Sequence, residues 1–223
     1  MFWLKNNMKV FCKICNSKTR EIFHEKFNIK YFQCLDCQFI FKDEKSIISP
    51  EEELAIYNRH NNSIDDPRYV AYFKDFIDKA IIPYCPRAES VLDFGSGPSP
   101  VLAMILERDY GFKKIDIYDL FYSPEKVYKN KKYKLIVSTE LVEHLKDPLA
   151  YFFKFKELLQ ENGFLCIMTL FHPNNDNKFK SWRYIGDKSH ISFFNTKSIN
   201  KIAEIVGLDI IYNDNRRYIS FKK

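Results

Sequence analysis

With 223 residues, 46% of them hydrophobic and 17% aromatic, the chain can bury a sizeable core, which excludes the disordered class. Its formal charge of +6 comes from 35 basic and 29 acidic residues spread along the chain, a weak argument for a nucleic-acid groove. No apolar run approaches the roughly 18 residues needed to span a bilayer, and Lys5, Asn6, Asn7 and Lys9 interrupt residues 1–11, so the reading is a cytoplasmic protein without signal peptide or membrane segment.

In chain order, the first signal is Cys12-x2-Cys15 followed, eighteen residues on, by Cys34-x2-Cys37. Each pair fits a tight knuckle whose sulfurs converge, and four thiolates close a tetrahedral zinc site. Residues 21–27 and 30–33 between the pairs have strand-like composition. The segment is too short to hold itself together without a metal, and it resembles a zinc ribbon. A filled site, itself net negative, dilutes the positive surplus further. Cys85 and Cys166 stand in apolar surroundings and read as inert core thiols.

After Pro50 the pattern predicts a helix over 51–59 and a polar turn over 60–66. Asp66 caps and Pro67 opens a second helix with Val70, Phe73, Ile77 and Ile81 on one face, ended by Pro83 and Pro86. A strand over 90–94 runs into Gly95-Ser96-Gly97. Ser99-Pro100 reads as cap and first turn of a helix over 100–109. Strands follow at 113–118 and 134–138. Asp147-Pro148 opens a helix to about 160, and Gly163 turns the chain into a strand over 164–170. A helix over 196–206 ends at Gly207, and 208–212 with 217–221 form a closing hairpin. Strands alternating with helices predict an α/β doubly wound sheet. The division is a four-cysteine zinc ribbon over 1–48 and an α/β domain over 49–223.

Asp93 ends the first strand before two glycines, and Asp119 ends the second. A glycine turn lets a ligand approach bare backbone, and an acid on the next strand can accept hydrogen bonds from two ribose hydroxyls. Together they describe a nucleoside pocket at the carboxyl edge of the sheet.

Val91-Leu-Asp-Phe-Gly-Ser-Gly97, Asp119, the run from Tyr133 through Glu140-Leu-Val-Glu-His144 to Pro148, and Gln160-Glu-Asn-Gly-Phe-Leu165 resemble class I S-adenosylmethionine-dependent methyltransferases. The likeness covers about 67–223 and fits the chain better than an NAD-type Rossmann domain. It implies a Rossmann-like sheet with helices on both faces. It also implies that Asp93, Phe94, Gly95, Ser96 and Gly97 border the methionine part of S-adenosylmethionine. Asp119 would hold the ribose, Leu120 would lie beside the adenine, and Ser138, Thr139 and Glu140 would flank the sulfonium. Ser99 stands where the family has a third glycine. Only thirteen residues separate Asp119 from Tyr133, so the third strand is expected to be absent or a stub. Trp182–Phe194, with Tyr57-Asn-Arg-His-Asn-Asn62 and the ribbon, resembles a group of bacterial methyltransferases.

Glu140, Glu143 and His144 are spaced i, i+3, i+4, which on a helical turn puts them on one face and makes them a candidate site for a divalent cation such as magnesium. The run resembles the Glu-x-x-Glu-His of metal-assisted O-methyltransferases, and His190 or His172 could join it. Without a metal, His144 and Glu143, with Asp187 and His190, are the candidate catalytic groups. Trp182, Tyr184 and Phe193 in the 171–195 segment, and Tyr57 and His60 before the core, are candidate substrate-binding residues. The expected partner is a small-molecule or sugar-like acceptor methylated at oxygen or nitrogen. RNA or protein methylation with the ribbon as docking module ranks second, and a non-enzymatic binding protein third. The sequence leaves the oligomeric state open.

Overall fold

The computed structural model describes residues 10–59 and 62–223, so the candidate His60 lies outside the described residues. A small antiparallel sheet opens the chain with β1 (Thr19–His24), β2 (Ile29–Cys34) and β3 (Ile40–Lys42). Then come α1 (Pro50–Tyr57) and α2 (Pro67–Phe76), whose caps Ser49 and Asp66 accept from Glu52 N and Arg68 N. The second helix continues through a π-helical turn at Ile77–Ile81. The remaining elements are β4 (Val91–Phe94), α3 (Val101–Tyr110), β5 (Ile115–Tyr118), β6 (Tyr133–Thr139), α4 (Pro148–Leu158), β7 (Leu159–Met168), α5 (Asp176–Lys180), β8 (Ser192–Phe193), α6 (Thr196–Val206), β9 (Asp209–Asn213) and β10 (Tyr218–Lys222).

The large sheet has the order β5-β4-β6-β7-β10-β9, with the four β4–β7 strands parallel and β10 and β9 antiparallel. Its side chains alternate as a pleated sheet requires. Leu135, Val137, Cys166 and Met168 pack under α2 and α3, while Ile136, Leu165 and Ile167 pack under α4 and α6. The chain between Asp119 and Tyr133 contributes only a turn closed by an Asp119–Ser123 bridge, so the third strand is missing as the spacing predicts. Among the described residues no helix is long and apolar enough to cross a membrane.

Three boundaries differ from expectation. Pro100 itself occupies the cap position of α3, with no side-chain cap bond, so Ser99 sits one residue too early to reach the first free amides. Helix α4 stops at Leu158, where the backbone turns extended at Leu159, and β7 starts there rather than after Gly163. A Cβ on Gly163 would stand 2.8 Å from Gln160 O, so that crowded crossing accepts only glycine.

The small sheet does not end with the amino-terminal segment. β8 joins it through Ile40–Phe193 and Phe41–Ser192 pairs, giving the order β1-β2-β3-β8. Cys12, Ile14, Phe39 and Phe41 belong to the same apolar cluster as Phe152 and Phe155 of α4 and Ile199 of α6, the helices that cover one face of the large sheet.

Candidate active site

Strand β4 delivers Asp93 and then Gly95-Ser96-Gly97 to the carboxyl edge of the sheet. The Gly95 and Ser96 N–H groups donate to Tyr118 O at 2.7 and 3.1 Å, which ties the turn to the end of β5. Gly95 has φ +92 and Gly97 φ +67, values that side-chain-bearing residues rarely adopt. A Cβ on Gly95 would also press to 3.1 Å from the Leu141 side chain.

Asp119 Oδ2 accepts from Gly97 N at 3.0 Å, and Oδ1 accepts from Phe121 N and Tyr122 N at 2.9 and 3.1 Å. A carboxylate has about four lone-pair sites, so acceptor capacity remains toward the cavity. Asp93 is 1% exposed, and neither of its oxygens has a hydrogen-bond partner among the described residues. Burial, and then the nearby Asp119 charge, push its pKa up to about 7. Ser96 Oγ is also buried and unpartnered. Unmet polar groups beside bare glycine backbone fit a polar, cation-bearing ligand such as the methionine part of an adenosyl cofactor. Asp93, Asp119, Leu120 and Thr139 line one cavity of about 590 Å³.

The other end of this cavity is built by α1, α2, the 140–144 turn and the 184–190 turn. Glu140 sits at φ +48, held by its N–H to Met168 O at 2.8 Å, and only Val142–His144 form a 3-10 turn. The expected single helical face of Glu140, Glu143 and His144 is therefore not formed, because the left-handed residue swings Glu140 out of helical register. The ligand atoms of Glu143, His144 and His190 instead lie within 4.8 Å of one another. His172 is elsewhere, bonded to Gln38 O and Pro173 O.

Tyrosine hydroxyls organise the acids. Tyr72 donates to Glu140 Oε1 at 2.8 Å, and the Tyr184 hydroxyl lies 2.5 Å from Glu143 Oε1 and 3.2 Å from Glu140 Oε2. Glu143 is fully buried with Oε2 unpartnered; burial and the Glu140 charge push its pKa well above the carboxylate range. His190 Nδ1 contacts Tyr184 O at 2.8 Å. A carbonyl only accepts, so Nδ1 carries the proton and Nε2 presents a lone pair in the neutral ring. Burial lowers the His190 pKa against the pull of Asp187, whose Oδ2 stands 4.0 Å from Nε2. Burial would raise the Asp187 pKa, but hydrogen bonds from Ser189, together with the charge interaction with His190 and His144, outweigh it and hold it low.

Trp182 and Phe193 do not line this cavity. They pack with Phe179 and Ile185 against Ile22, Tyr31 and Ile40, behind the wall. Tyr184 does not line the cavity but holds its acids through its hydroxyl and His190 through its carbonyl. Tyr57 lines the cavity and donates to Glu53 Oε1 at 2.5 Å. Glu53, Tyr69 and Tyr72 were not singled out in the sequence. Their only advance signal is spacing: Tyr69 and Tyr72 lie one and two turns into a helix whose apolar stripe explains the residues between them.

In the cysteine cluster all four sulfurs lie within 4.8 Å of one another, with Cys12–Cys37, Cys15–Cys34 and Cys15–Cys37 at 3.6, 3.4 and 3.6 Å. Thiolates at about 2.3 Å from a tetrahedral zinc would be roughly 3.8 Å apart. Ile14 N–H points to Cys12 Sγ, and Asp36 and Cys37 N–H point to Cys34 Sγ, each at 3.3 Å. The hydrogen bond between Cys12 and Cys37 lowers the pKa of the Cys12 thiol and raises that of Cys37, so the two close sulfurs do not ionise independently.

A parallel sheet that ends in a glycine turn, an acid closing the next strand and a polar cavity beyond both fit a nucleoside-cofactor site of the class I methyltransferase kind. The comparisons agree: residues 65–213 match the model of the methyltransferase-domain family, and the chain belongs to that family. It is a methyltransferase, and membership implies S-adenosylmethionine as the methyl donor. An O-methyltransferase family protein from Burkholderia thailandensis aligns over 78% of this chain and 68% of its own, with 11% identity and a TM-score of 0.51. DesVI from Streptomyces venezuelae aligns over 78% of this chain and 98% of its own, with 14% identity and a TM-score of 0.51. At these identities the likeness carries the fold alone. No curated protein matches the sequence.

Proposed function

We propose that this methyltransferase acts on a small acceptor without a negative charge, at an oxygen or nitrogen atom. The observation that carries this reading is the charge of the cavity wall. Among the described residues, Glu53, Asp93, Asp119, Glu140, Asp147 and Asp187 line it against a single lysine, Lys146. Such a wall repels phosphate and carboxylate and accepts a polyol or an amine, which weighs against RNA.

When bound, S-adenosylmethionine supplies an activated methyl group on a positively charged sulfur. In this reading Asp93 and Asp119 hold its amino and ribose ends, and the turn at Gly95–Gly97 lets it lie against the backbone. Asp187 and His190 face the acceptor, and the His190 Nε2 lone pair takes the proton that the acceptor loses, with Asp187 beside the resulting charge. The aromatic side chains of Tyr57, Tyr69, Tyr72 and Phe73 in the wall limit water along the transfer line. The four cysteines are assigned to structural zinc.

A second reading gives a divalent cation such as magnesium to Glu143, His144 and His190, favoured by the unpartnered Glu143 Oε2 beside two imidazoles. There His190 Nδ1, tied to Tyr184 O, would orient the ring. The experiment is calorimetry with S-adenosylhomocysteine on zinc-loaded protein, then methyl-labelled donor with panels of polyols, amines and phosphate esters. Absence of cofactor-product binding ends both readings. Methylation of phosphate esters alone ends the charge argument. Turnover unchanged after magnesium depletion that spares the zinc ends the second reading.

A further inference from the structure

The segment that carries Asp187 and His190 is stitched on two sides. On one side the Lys42 N–H donates to Ile191 O at 2.9 Å, next to the Phe41–Ser192 and Ile40–Phe193 pairs. On the other side Ile191 N–H donates to Glu143 O at 2.8 Å, and Ser192 Oγ donates to Leu145 O at 2.7 Å. Strand β8 is thus the seam between the cysteine-bearing sheet and the acidic end of the cavity.

Lys42, the last residue of β3, lies on this seam and is 2% exposed. Its Nζ crosses to the 184–190 turn and donates to Lys188 O at 2.7 Å. Burying an ammonium is costly, and a well-packed apolar side chain of that length would fill the space more cheaply. The charge is set against Asp187, the one acid acting on it, and against the repulsion of Lys188. Asp187 in turn closes the turn by accepting Ser189 N–H at 2.9 Å and Ser189 O–H at 2.5 Å. The carbonyl that Lys42 grips therefore lies between Asp187 and the doubly bonded Ser189, two residues before His190.

We propose that Lys42 is a positioning residue: its ammonium reaches through the wall from the cysteine-bearing sheet, clamps the 184–190 turn by the Lys188 carbonyl, and fixes Asp187 and His190 at the acceptor end. The proposal rests on the reading that this end of the cavity takes the acceptor. It makes the amino-terminal sheet part of the acceptor wall.

The test compares wild type, Lys42→Met and Lys42→Arg by amide hydrogen exchange, thermal unfolding and calorimetry with S-adenosylhomocysteine. Lys42→Met keeps the stem and removes the charge, so it should unfold at the same or a higher temperature. Peptides over 184–191 should nevertheless exchange at least tenfold faster, with 91–97 unchanged and the affinity within twofold of wild type. Lys42→Arg should restore much of the protection. Unchanged exchange over 184–191, or faster exchange spread equally over the small sheet and 91–97, overturns the proposal. Should Lys42→Met not fold, Lys42→Gln is held to the same outcomes. A wild type that fails to bind S-adenosylhomocysteine would sink the methyl-transfer reading, while the exchange comparison would still decide the role of Lys42.

Discussion

Asp93 should act as a pH gate on cofactor binding while weakening the protein that carries it. Its pKa rises from 3.8 to about 7, through burial first and Asp119 second. A carboxyl raised in the folded state binds more protons folded than unfolded across that window. Its contribution to stability is therefore intact below about pH 4 and falls as pH rises toward 7. Three units at 1.36 kcal/mol each put the cost of the ionised group at ~4 kcal/mol at pH 8. Asp93→Asn should relieve much of it, with the gain growing by ~1 kcal/mol between pH 6 and pH 8 in urea unfolding of the cofactor-free protein. The ammonium of the ligand's methionine part needs the ionised form, so wild-type affinity for S-adenosylhomocysteine should weaken about tenfold from pH 8 to pH 6. The Asp93→Asn protein should bind at least tenfold more weakly at pH 8, with no such slope, having lost a charge-assisted hydrogen bond of about 1.5–3 kcal/mol. Calorimetry at pH 6, 7 and 8 reads both slopes. A flat wild-type profile, or a variant no more stable than wild type at pH 8, would refute the reasoning.

Three further outcomes test the rest of the site. Asp119→Ala removes the acceptor of three backbone N–H groups as well as the carboxylate proposed to hold the ribose, and should weaken S-adenosylhomocysteine binding by about 10- to 100-fold in the same titration. Gly95→Ala forces a left-handed φ on a side chain and drives its Cβ against Leu141; a loss of about 1–3 kcal/mol in denaturant unfolding and a cavity narrowed toward the cofactor are expected, and normal stability with normal binding would contradict the geometry. Cys34→Ser should reduce bound zinc measured by elemental analysis and lower the melting temperature, because Phe39 and Phe41 share a core with the large sheet. Retention of one full equivalent of zinc would count against a four-thiolate site.

What the sequence made legible was local. The C-x-x-C knuckles, the Asp93–Gly97 turn, the caps at Asp66 and Asp147 and the Gly207 stop each depend on a few consecutive residues, and all were found where their patterns put them. The absent third strand was legible too, as a simple shortage of chain. What stayed hidden depends on distant segments meeting. Strand β8 has two residues and exists only because β3 lies beside it. Glu53 and Lys42 look like surface charges until α1 and β3 carry them to the cavity and its wall. Trp182 and Phe193 suit an acceptor by composition, being aromatic side chains in a loop. The loop has two faces, and the small sheet takes the apolar one. Glu140 misleads for a different reason, since no spacing rule announces a non-glycine residue at positive φ.

The omission of the third strand leaves β5 as one rim of the large sheet, with backbone groups along its outer side that no strand among the described residues claims. Bare rims invite pairing with other chains. Here charge stands guard where chain does not: Lys113 and Lys114 lead into the strand, and Asp116 is gripped by Lys131 at 2.7 Å and by the Tyr133 hydroxyl at 2.6 Å. At only four residues the rim offers a short template, so the strand that remains at this edge is both brief and flanked by charge.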